Sequence, residues 1–152
     1  MNFDTAIPQS GPDRFRRGQL IADGHAAGQA RVDFDSWLQT HFAISAVSRS
    51  DVTLAVNEAV ANAAEHAYFD GGSGAGTFDV DANYDSASNA LTVEVVDRGQ
   101  WQTASGNTAL DRPRGRGIQL MHALSDHASI RTSANGTRVC LTWLRLLRRV
   151  DA

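Results

Sequence analysis

Lysine is absent from the 152-residue chain, so all 14 of its basic residues are arginine. A P-loop requires a lysine against the phosphates and Schiff-base chemistry requires an amine, so both are excluded. Any phosphate contact must therefore come from arginine side chains, backbone amides or a metal ion. For most of the 14, the simpler interpretation is that arginine takes the place of lysine on the surface.

Cysteine and long apolar runs are also scarce. The one cysteine, Cys140, excludes an internal disulfide and lies in an alternating strand pattern, where an inert thiol is expected rather than a nucleophile. No apolar run reaches the roughly 18 residues that a membrane span needs, and the N-terminal residues lack the apolar core of a signal peptide. These absences predict a cytoplasmic protein without membrane attachment.

The overall composition is that of an ordinary globular protein. The net charge is −3, and 42% of the residues are hydrophobic and 20% charged. The chain therefore has no excess of basic residues of the kind that direct nucleic-acid binding needs. The length suits one hydrophobic core. We therefore expect a single domain over residues 1–152, in which residues 1–14, with two prolines and a glycine, form a loose leader.

Hydrophobic periodicity predicts three helices, over 26–42, from about 51 to 68, and over 117–124. Ser48 or Ser50 is the expected N-cap of the second helix, and Asp51 is the expected first-turn acid. The glycine-rich residues after 69 end that helix.

Alternating segments predict the strands. A first strand is expected over 15–22, followed by a hairpin of 77–84 with 90–97. A second hairpin joins 128–132 to 138–144 around the two-residue turn signal Asn135-Gly136. This order favours an α+β sandwich with the helices on one face of a mainly antiparallel sheet, whose other face is open or pairs with a second subunit.

The segment 54–68 places acidic and amide side chains on a small, apolar helix. Glu58, Asn62 and Glu65 share one face, His66 lies at its margin, and an apolar stripe lies opposite. Mg²⁺ prefers oxygen ligands and keeps most of its waters, so the carboxamide of Asn62 together with substrate phosphates would suit it, with Glu58 as a base. For an isolated E-x-x-x-N, a solvated helix face is the better interpretation, and the downstream segments change this balance.

A carboxylate, Asp97, stands at the end of the first hairpin. It can accept a hydrogen bond from the exocyclic amine of a planar base, and Gly99 would let the backbone pass close to that ring. Alone, Asp-x-Gly is more often only a turn. The chain then loses its periodicity until Gly117, which is typical of a binding loop or lid.

The segment 112–118 has the composition of an anion cradle. Gly115 and Gly117 allow the backbone to turn its amides toward a ligand, and the positive end of the next helix adds to the attraction. Thr137, at the second hairpin, could reach the same phosphates or only fill a turn. Three alternating arginines add charge-assisted donors, although exposed arginines are usually just solvated: Arg112, Arg114 and Arg116.

In this order and spacing, the motifs resemble those of the GHKL ATPase superfamily. The segment 58–68 resembles its N box, Asp97-Arg98-Gly99 its first glycine box and Gly115-Arg116-Gly117-Ile118 its second. The short length, the E-A-x-x-N-A-x-x-H-A-Y form and the closing Gly136-Thr137-x-Val139 look most like bacterial anti-sigma factors of the serine-protein kinase type. The resemblance spans about residues 20–145 and implies a histidine-kinase-like ATPase fold with a mixed, mainly antiparallel sheet.

The resemblance implies a role for each matching residue. Asn62 would coordinate Mg²⁺ at the ATP phosphates, and Glu58 would position or deprotonate the attacking serine hydroxyl. Asp97 would recognise the adenine amine, with Gly99 shaping the base pocket and Thr137 supporting the base end or a nearby water. The phosphates would be wrapped by the second glycine box and faced by one of two arginines: Gly115, Arg116, Gly117 and Ile118, with Arg112 or Arg114.

The sequence departs from the family pattern after the first glycine box. Gln100-Trp101 stand where a further glycine or proline is usual, so Trp101 would line the pocket or anchor the lid. Sensor histidine kinases need a phosphoacceptor helix pair and a longer, phenylalanine-bearing lid, and neither is evident. His66 matches a motif position where its expected role is packing, and no H-E-x-x-H motif supports a metal hydrolase.

The resulting hypothesis is an ATP- and Mg²⁺-dependent serine/threonine protein kinase that sequesters a sigma factor and phosphorylates an anti-anti-sigma partner. Transcription would then be controlled through proteins rather than through direct DNA binding. One alternative is a non-catalytic ATP-binding module that switches partner affinity, and another is a relative of the regulatory domains fused to phosphatases in stress signalling. A homodimer is expected from the resemblance and from an exposed apolar sheet surface.

Overall fold

The structure of the protein, a computed structural model, describes residues 10–69, 76–98 and 115–147. These residues form six strands and three helices in the order β1 (Ser10–Gly11), β2 (Arg14–Ile21), α1 (Gly24–His41), α2 (Ala46–Phe69), β3 (Thr77–Asp85), β4 (Ala90–Asp97), α3 (Gly115–Leu124), β5 (His127–Ser133) and β6 (Gly136–Trp143). Among these helices, none combines the length and apolar character required to cross a membrane.

The six strands form one sheet in the order β1-β2-β3-β4-β6-β5. Every pairing between described strands is antiparallel, so this part of the sheet is not mixed as the resemblance implied. Helix α1 lies against β2, α2 lies over β3, β4 and β6, and α3 packs mainly on α2. The predicted α+β sandwich, with helices on one face of the sheet, is confirmed.

Helix α2 begins earlier than the sequence predicted. Its first residue is Ala46, and the Oγ of Ser45 accepts a hydrogen bond from the Ser48 backbone N at 3.0 Å. Ser45 therefore caps the helix, and the prediction of Ser48 or Ser50 is wrong. All three serines have a side chain that can cap a helix. Ser45 does so because the turn after α1 places it directly before the first helical residue. The first turn consequently contains no acidic residue, because Asp51 lies in the second.

The turn between β5 and β6 also differs from its prediction. Ser133 pairs with Gly136, so the two turn residues are Ala134 and Asn135 rather than Asn135 and Gly136. Gly136 is the first residue of β6 and has a φ of 139°, a conformation that side-chain-bearing residues rarely adopt. The Asn-Gly signal therefore marks a glycine that the strand requires. Thr137, expected before the strand, lies within it.

Part of the expected leader belongs to the sheet. Ser10 and Gly11 pair with β2, and the indole Nε1 of Trp37 donates a hydrogen bond to the carbonyl oxygen of Gly11 at 2.7 Å. The backbone N of Tyr84 donates to the carbonyl oxygen of Asp13 at 2.9 Å. The loose-leader prediction is therefore wrong for residues 10–14, while residues 1–9 lie outside the described part of the chain.

Five aromatic side chains from α1, the residue after it and strands β2 and β3 pack together between this helix and the sheet. The centroids of contacting rings lie 4.8 to 5.8 Å apart. The rings are edge-on or tilted, which is the geometry that the quadrupoles of aromatic rings favour. We call this group the aromatic cluster: Phe15, Phe34, Trp37, Phe42 and Tyr84. Tyr84 stands near one end of β3, whereas Phe78, which pairs with Asp97, stands near the other, roughly 20 Å away at the usual rise of a strand.

The open face of the sheet is charged rather than apolar. On this face Arg16 contacts Asp81 at 3.1 Å, and Arg138 contacts Glu94 at 2.8 Å. The buried residues of β3 and β4 alternate with these polar ones and face the helices. The predicted apolar sheet surface is therefore wrong for the described strands. Cys140 lies half-buried on this face, and burial raises the pKa of its thiol, as an inert cysteine requires.

Candidate functional site

Helices α2 and α3 pack closely against each other at Gly117. A Cβ atom added to Gly117 would lie 2.7 Å from Oε1 of Glu58 and 3.6 Å from Nδ2 of Asn62. At 2.7 Å the Glu58 carboxylate would have to shift, so the absence of a side chain at Gly117 permits its observed position. The structure thus brings together residues from the predicted N box and the second glycine box.

The three polar residues predicted on one face of α2 differ in burial. Asn62 is 7% exposed, Glu58 is half-buried and Glu65 is exposed. Asn62 and Glu58 therefore lie at the contact with α3, whereas Glu65 belongs to the surface. The backbone of His66 continues the helix, and its side chain lies outside the described part of the structure.

A second group of polar residues lies where β4 meets β6. Asp97 and Thr137 are direct partners in this pairing, and each is only 3% exposed. The Oγ1 of Thr137 is buried and has no hydrogen-bond partner among the described residues. A buried hydroxyl left unpaired costs about 1–3 kcal/mol, so a polar ligand or a water molecule is stabilised at this position.

Gly136 lets β6 approach the end of β4. A Cβ atom there would lie 1.9 Å from the carbonyl oxygen of Asp97 and 3.0 Å from Cα of Arg98, both of them backbone atoms. Sequence reasoning missed this contact, although the glycine beside Thr137 was a visible signal. The Asn135-Gly136 pattern predicts a turn residue at this position instead.

The two polar groups lie on the same side of the sheet. Asp97 continues the alternation of Leu91, Val93 and Val95, whose side chains are buried against the helices. Helix α2, which carries Glu58 and Asn62, packs on β4, and α3 packs on α2. The helix side of the sheet therefore carries Asp97 and Thr137 on the strands, with Glu58 and Asn62 on the helix that packs over them.

The remaining predicted site residues divide into two sets. Helix α3 begins at Gly115, two residues before its predicted start, so Gly115 and Arg116 belong to its first turn. Ile118 is half-buried and packs against the core. The side chain of Arg116 lies outside the described residues, as do four other predicted positions: Gly99, Trp101, Arg112 and Arg114.

The chain also matches known proteins. A sequence profile of the histidine kinase-like ATPase domain matches residues 21–143. The crystal structure of the RsbU and RsbW domains of Rv1364c from Mycobacterium tuberculosis is similar at 27% identity and a TM-score of 0.66, over 91% of this chain and 33% of that one. A blue-light activated histidine kinase from Erythrobacter litoralis is similar in fold, at 18% identity and a TM-score of 0.52, over 66% of this chain and 31% of that one. The chain thus spans about a third of the length of these solved relatives.

These matches confirm the resemblance to GHKL ATPases and to their anti-sigma factor branch. The matched range contains both polar groups, from Glu58 and Asn62 on α2 to Asp97 and Thr137 on the sheet. The likeness to the light-activated kinase concerns the fold alone. This chain belongs to the histidine kinase-like ATPase domain family.

Proposed function

We propose that the protein binds ATP with Mg²⁺, sequesters a sigma factor, and phosphorylates a serine or threonine of an anti-anti-sigma partner. The observation that carries the proposal is the contact of Gly117 with Glu58 and Asn62. It brings a carboxylate and a carboxamide to the N-terminal turns of α3, whose free amides and positive dipole end attract phosphates.

The residues present suit a metal ion held jointly with a substrate. Among the described residues, no group of three or more His, Cys, Asp or Glu side chains could hold a metal by itself. Mg²⁺ commonly takes one or two protein oxygens and completes its shell with phosphates and waters. The carboxamide oxygen of Asn62 would hold the ion in this way. When bound, the ion would neutralise charge on the phosphates during transfer.

The buried pair on the sheet suits the base of the nucleotide. Asp97 would accept a hydrogen bond from the adenine amine, and the unpaired hydroxyl of Thr137 would bond to the ring or to a water beside it. Both groups are almost fully buried, and a ligand that forms no hydrogen bond with the Thr137 hydroxyl would leave that hydroxyl unsatisfied. This arrangement supports recognition of adenine rather than of any planar ring.

Phosphate transfer would depend on Glu58. Its carboxylate would orient the partner's hydroxyl and take its proton as the hydroxyl oxygen bonds to the γ-phosphorus. The bond from that phosphorus to the bridging oxygen breaks, and ADP leaves. Phosphoryl transfer requires mainly positioning and neutralisation of charge, so a base, one metal-binding amide and the amides of a helix start form a sufficient set.

The proposed partners follow from the similarity to a structure that contains an RsbW domain. The homodimer is proposed from the resemblance alone, since the open sheet face is charged. The alternative, a non-catalytic module that binds ATP and changes partner affinity, would use the same ligand-contacting residues. Turnover separates the two candidates.

Nucleotide binding is tested by ligand-dependent thermal stability. A ligand that binds only the folded state at 100 times its Kd stabilises it by about 2.7 kcal/mol, so ATP with Mg²⁺ should raise the melting temperature. Asn62→Ala should remove the Mg²⁺-dependent part of the shift, and Asp97→Ala should remove most of the ATP-dependent part. The matched control is Asn57→Ala, on the same helix but lining a groove between α1 and α2, which should keep the full shift.

An unchanged shift in both site variants would contradict the proposed nucleotide site. A second arm of the same experiment supplies labelled ATP and a candidate anti-anti-sigma protein. Appearance of label on that protein supports the kinase, whereas tight ATP binding without transfer to any partner favours the non-catalytic module.

Replacing Gly117 with alanine should separate stability from activity. The added methyl group would press on the Glu58 carboxylate, which lies at the end of a flexible side chain and can move aside. Alanine also favours a helix over glycine by about 1 kcal/mol. We therefore expect thermal stability at or above that of the parent, with transfer slowed by up to about 100-fold, as a displacement of about 1 Å can cause. Thermal unfolding and single-turnover transfer measure the two effects.

The control for this variant is Gly28→Ala in α1, where an added Cβ meets no atom within 4 Å. It should gain helix stability without losing transfer. Transfer at the parental rate in Gly117→Ala would show that the close approach to Glu58 has no catalytic importance.

A further inference from the structure

We infer that Arg98 and Asp79, on the open face of the sheet, are positioning residues that hold Asp97 in place and thereby set the preference for adenine. The inference rests on the proposed function, in which Asp97 recognises the adenine amine. Neither residue faces the helix layer, and both act through the backbone of β4.

Arg98 directly follows Asp97 and is bound to β3 at three points. Its backbone N donates to the carbonyl oxygen of Thr77 at 3.2 Å, and its Nη1 donates to Thr77 Oγ1 at 2.9 Å. Its Nη2 donates to Oδ2 of Asp79 at 2.6 Å. The last described residue of this segment is therefore fixed to the neighbouring strand by both its main chain and its side chain.

Asp79 is the centre of this arrangement. Its side chain is 14% exposed, and its Oδ1 accepts a hydrogen bond from the backbone N of Gln19 at 2.6 Å. Gln19 has a φ of 54° and lies in the irregular part of the pairing between β2 and β3. One carboxylate thus joins an irregular stretch of β2 to the end of β4.

The protonation state of Asp79 agrees with this role. Burial raises the pKa of this carboxyl, but the hydrogen bonds from Arg98 and Gln19 and the charges of Arg98 and Arg16 outweigh burial and hold the pKa below its usual value. The group is therefore charged at neutral pH, as a charge-assisted bond to arginine requires. Arg16 stands 3.9 Å away, at the limit of an ion pair.

The other side of the same peptide is fixed by Gly136. Its Cα lies so close to the Asp97 carbonyl and to Arg98 Cα that no side chain fits between them. The peptide joining residues 97 and 98 is therefore held between the backbone of β6 and the contacts of Arg98 with β3. Because strand ends open more readily than strand centres, removing one of these restraints would let the peptide move. The Asp97 carboxylate would move with it.

The expected loss concerns recognition rather than stability. The Arg98 side of this pair is partly exposed, and such ion pairs contribute little to the free energy of folding, so Arg98→Ala should leave the fold intact. Asp79→Ala also removes the hydrogen bond to the backbone of Gln19, which lies outside the pairing of β3 with β4. A hydrogen bond weakens steeply when its geometry is disturbed, so a small displacement of Asp97 should reduce its bond to the adenine amine. Contacts to the phosphates, which are proposed to bind at the start of α3, should not change.

The test compares the Kd of ATP with that of inosine triphosphate, which carries an oxygen in place of the adenine amine. Both are measured with Mg²⁺ by calorimetry on the parent, Asp79→Ala, Arg98→Ala and the double variant. The parent should prefer ATP by about 10- to 100-fold, the range that one good base contact provides. Each single variant should lose most of this preference for ATP, while its Kd for inosine triphosphate stays the same. The double variant should lose no more of the preference than either single variant does.

Asp81→Ala is the matched control. Asp81 lies on the same strand and face, but its carboxylate accepts hydrogen bonds from Arg14 and Arg16, whereas Arg98 donates to Asp79. It should keep the parental ratio of the two dissociation constants. Asp97→Ala should lose the preference completely, which defines the full effect.

Two results would overturn the inference in distinguishable ways. If Asp97→Ala loses the preference while Asp79→Ala and Arg98→Ala retain it, the positioning role is wrong and the proposed function stands. If the parent binds both nucleotides equally, or if Asp97→Ala keeps the preference, the proposed recognition of adenine is wrong and the positioning role falls with it.

Discussion

Alanine in place of Gly136 is expected to destabilise the protein by about 3–5 kcal/mol, at the upper end of the range for single substitutions. The new Cβ would lie 1.9 Å from the carbonyl oxygen of Asp97, a backbone atom that cannot move without breaking the pairing of β4 with β6. The φ of 139° adds strain that an alanine cannot relieve. Equilibrium unfolding in urea measures the change in the free energy of unfolding.

Gly28→Ala again provides the comparison, because it makes the same chemical change at an open position in a helix. It should stabilise the protein by about 0.5–1 kcal/mol. If Gly136→Ala remains within about 1 kcal/mol of the parent, a margin typical of substitutions that meet no steric conflict, then the ends of β4 and β6 do not approach each other as described.

The second large effect is expected for Glu58→Gln, which should slow phosphate transfer by about 10²- to 10⁴-fold, the usual contribution of a general base. Glutamine keeps the size of the side chain and its capacity for hydrogen bonds but cannot accept the proton. The contact with Mg²⁺ is assigned to Asn62 and the contact with the adenine ring to Asp97. The affinity for ATP should therefore stay close to that of the parent. Single-turnover transfer from labelled ATP, with a parallel binding titration, separates the rate from the affinity.

Glu65→Gln makes the same replacement on the same helix, at an exposed position. It should transfer phosphate at the parental rate. If Glu58→Gln transfers phosphate at the parental rate, Glu58 is not the general base. If rate and affinity fall equally, Glu58 contributes to nucleotide binding rather than to proton transfer.

The strands could be predicted closely because their alternation is strong. In β3, Phe78, Val80 and Ala82 are buried, whereas Asp79 and Asp81 face the other side, so period-two spacing alone gives both the strand and its faces. The start of α2 could not be fixed, because Ser45, Ser48 and Ser50 offer similar capping groups and only the preceding turn selects one. The exposed sheet surface was mispredicted because the same alternation that buries one face of β3 places charges on the other.

The candidate site could be predicted as a set of motifs but not as a set of contacts. The order of the motifs predicts Glu58 and Asn62 as site residues. Their proximity to Gly117 depends on how α3 packs against α2, and local sequence patterns do not predict that packing. The bond between Arg98 and Asp79 depends on the register of β3 and β4. Interactions between residues far apart in the chain are set by tertiary packing, and a single sequence displays them only through a recognised family.

The aromatic cluster has a consequence for how this protein can change over evolutionary time. It packs the end of the sheet that is remote from Asp97, so much of the burial that maintains the fold comes from residues with no proposed part in chemistry. A lineage can therefore replace Glu58 and lose the proposed phosphate transfer while it keeps an intact fold and the proposed nucleotide site. Catalytic and non-catalytic nucleotide-binding proteins can therefore evolve on the same fold through very few mutations.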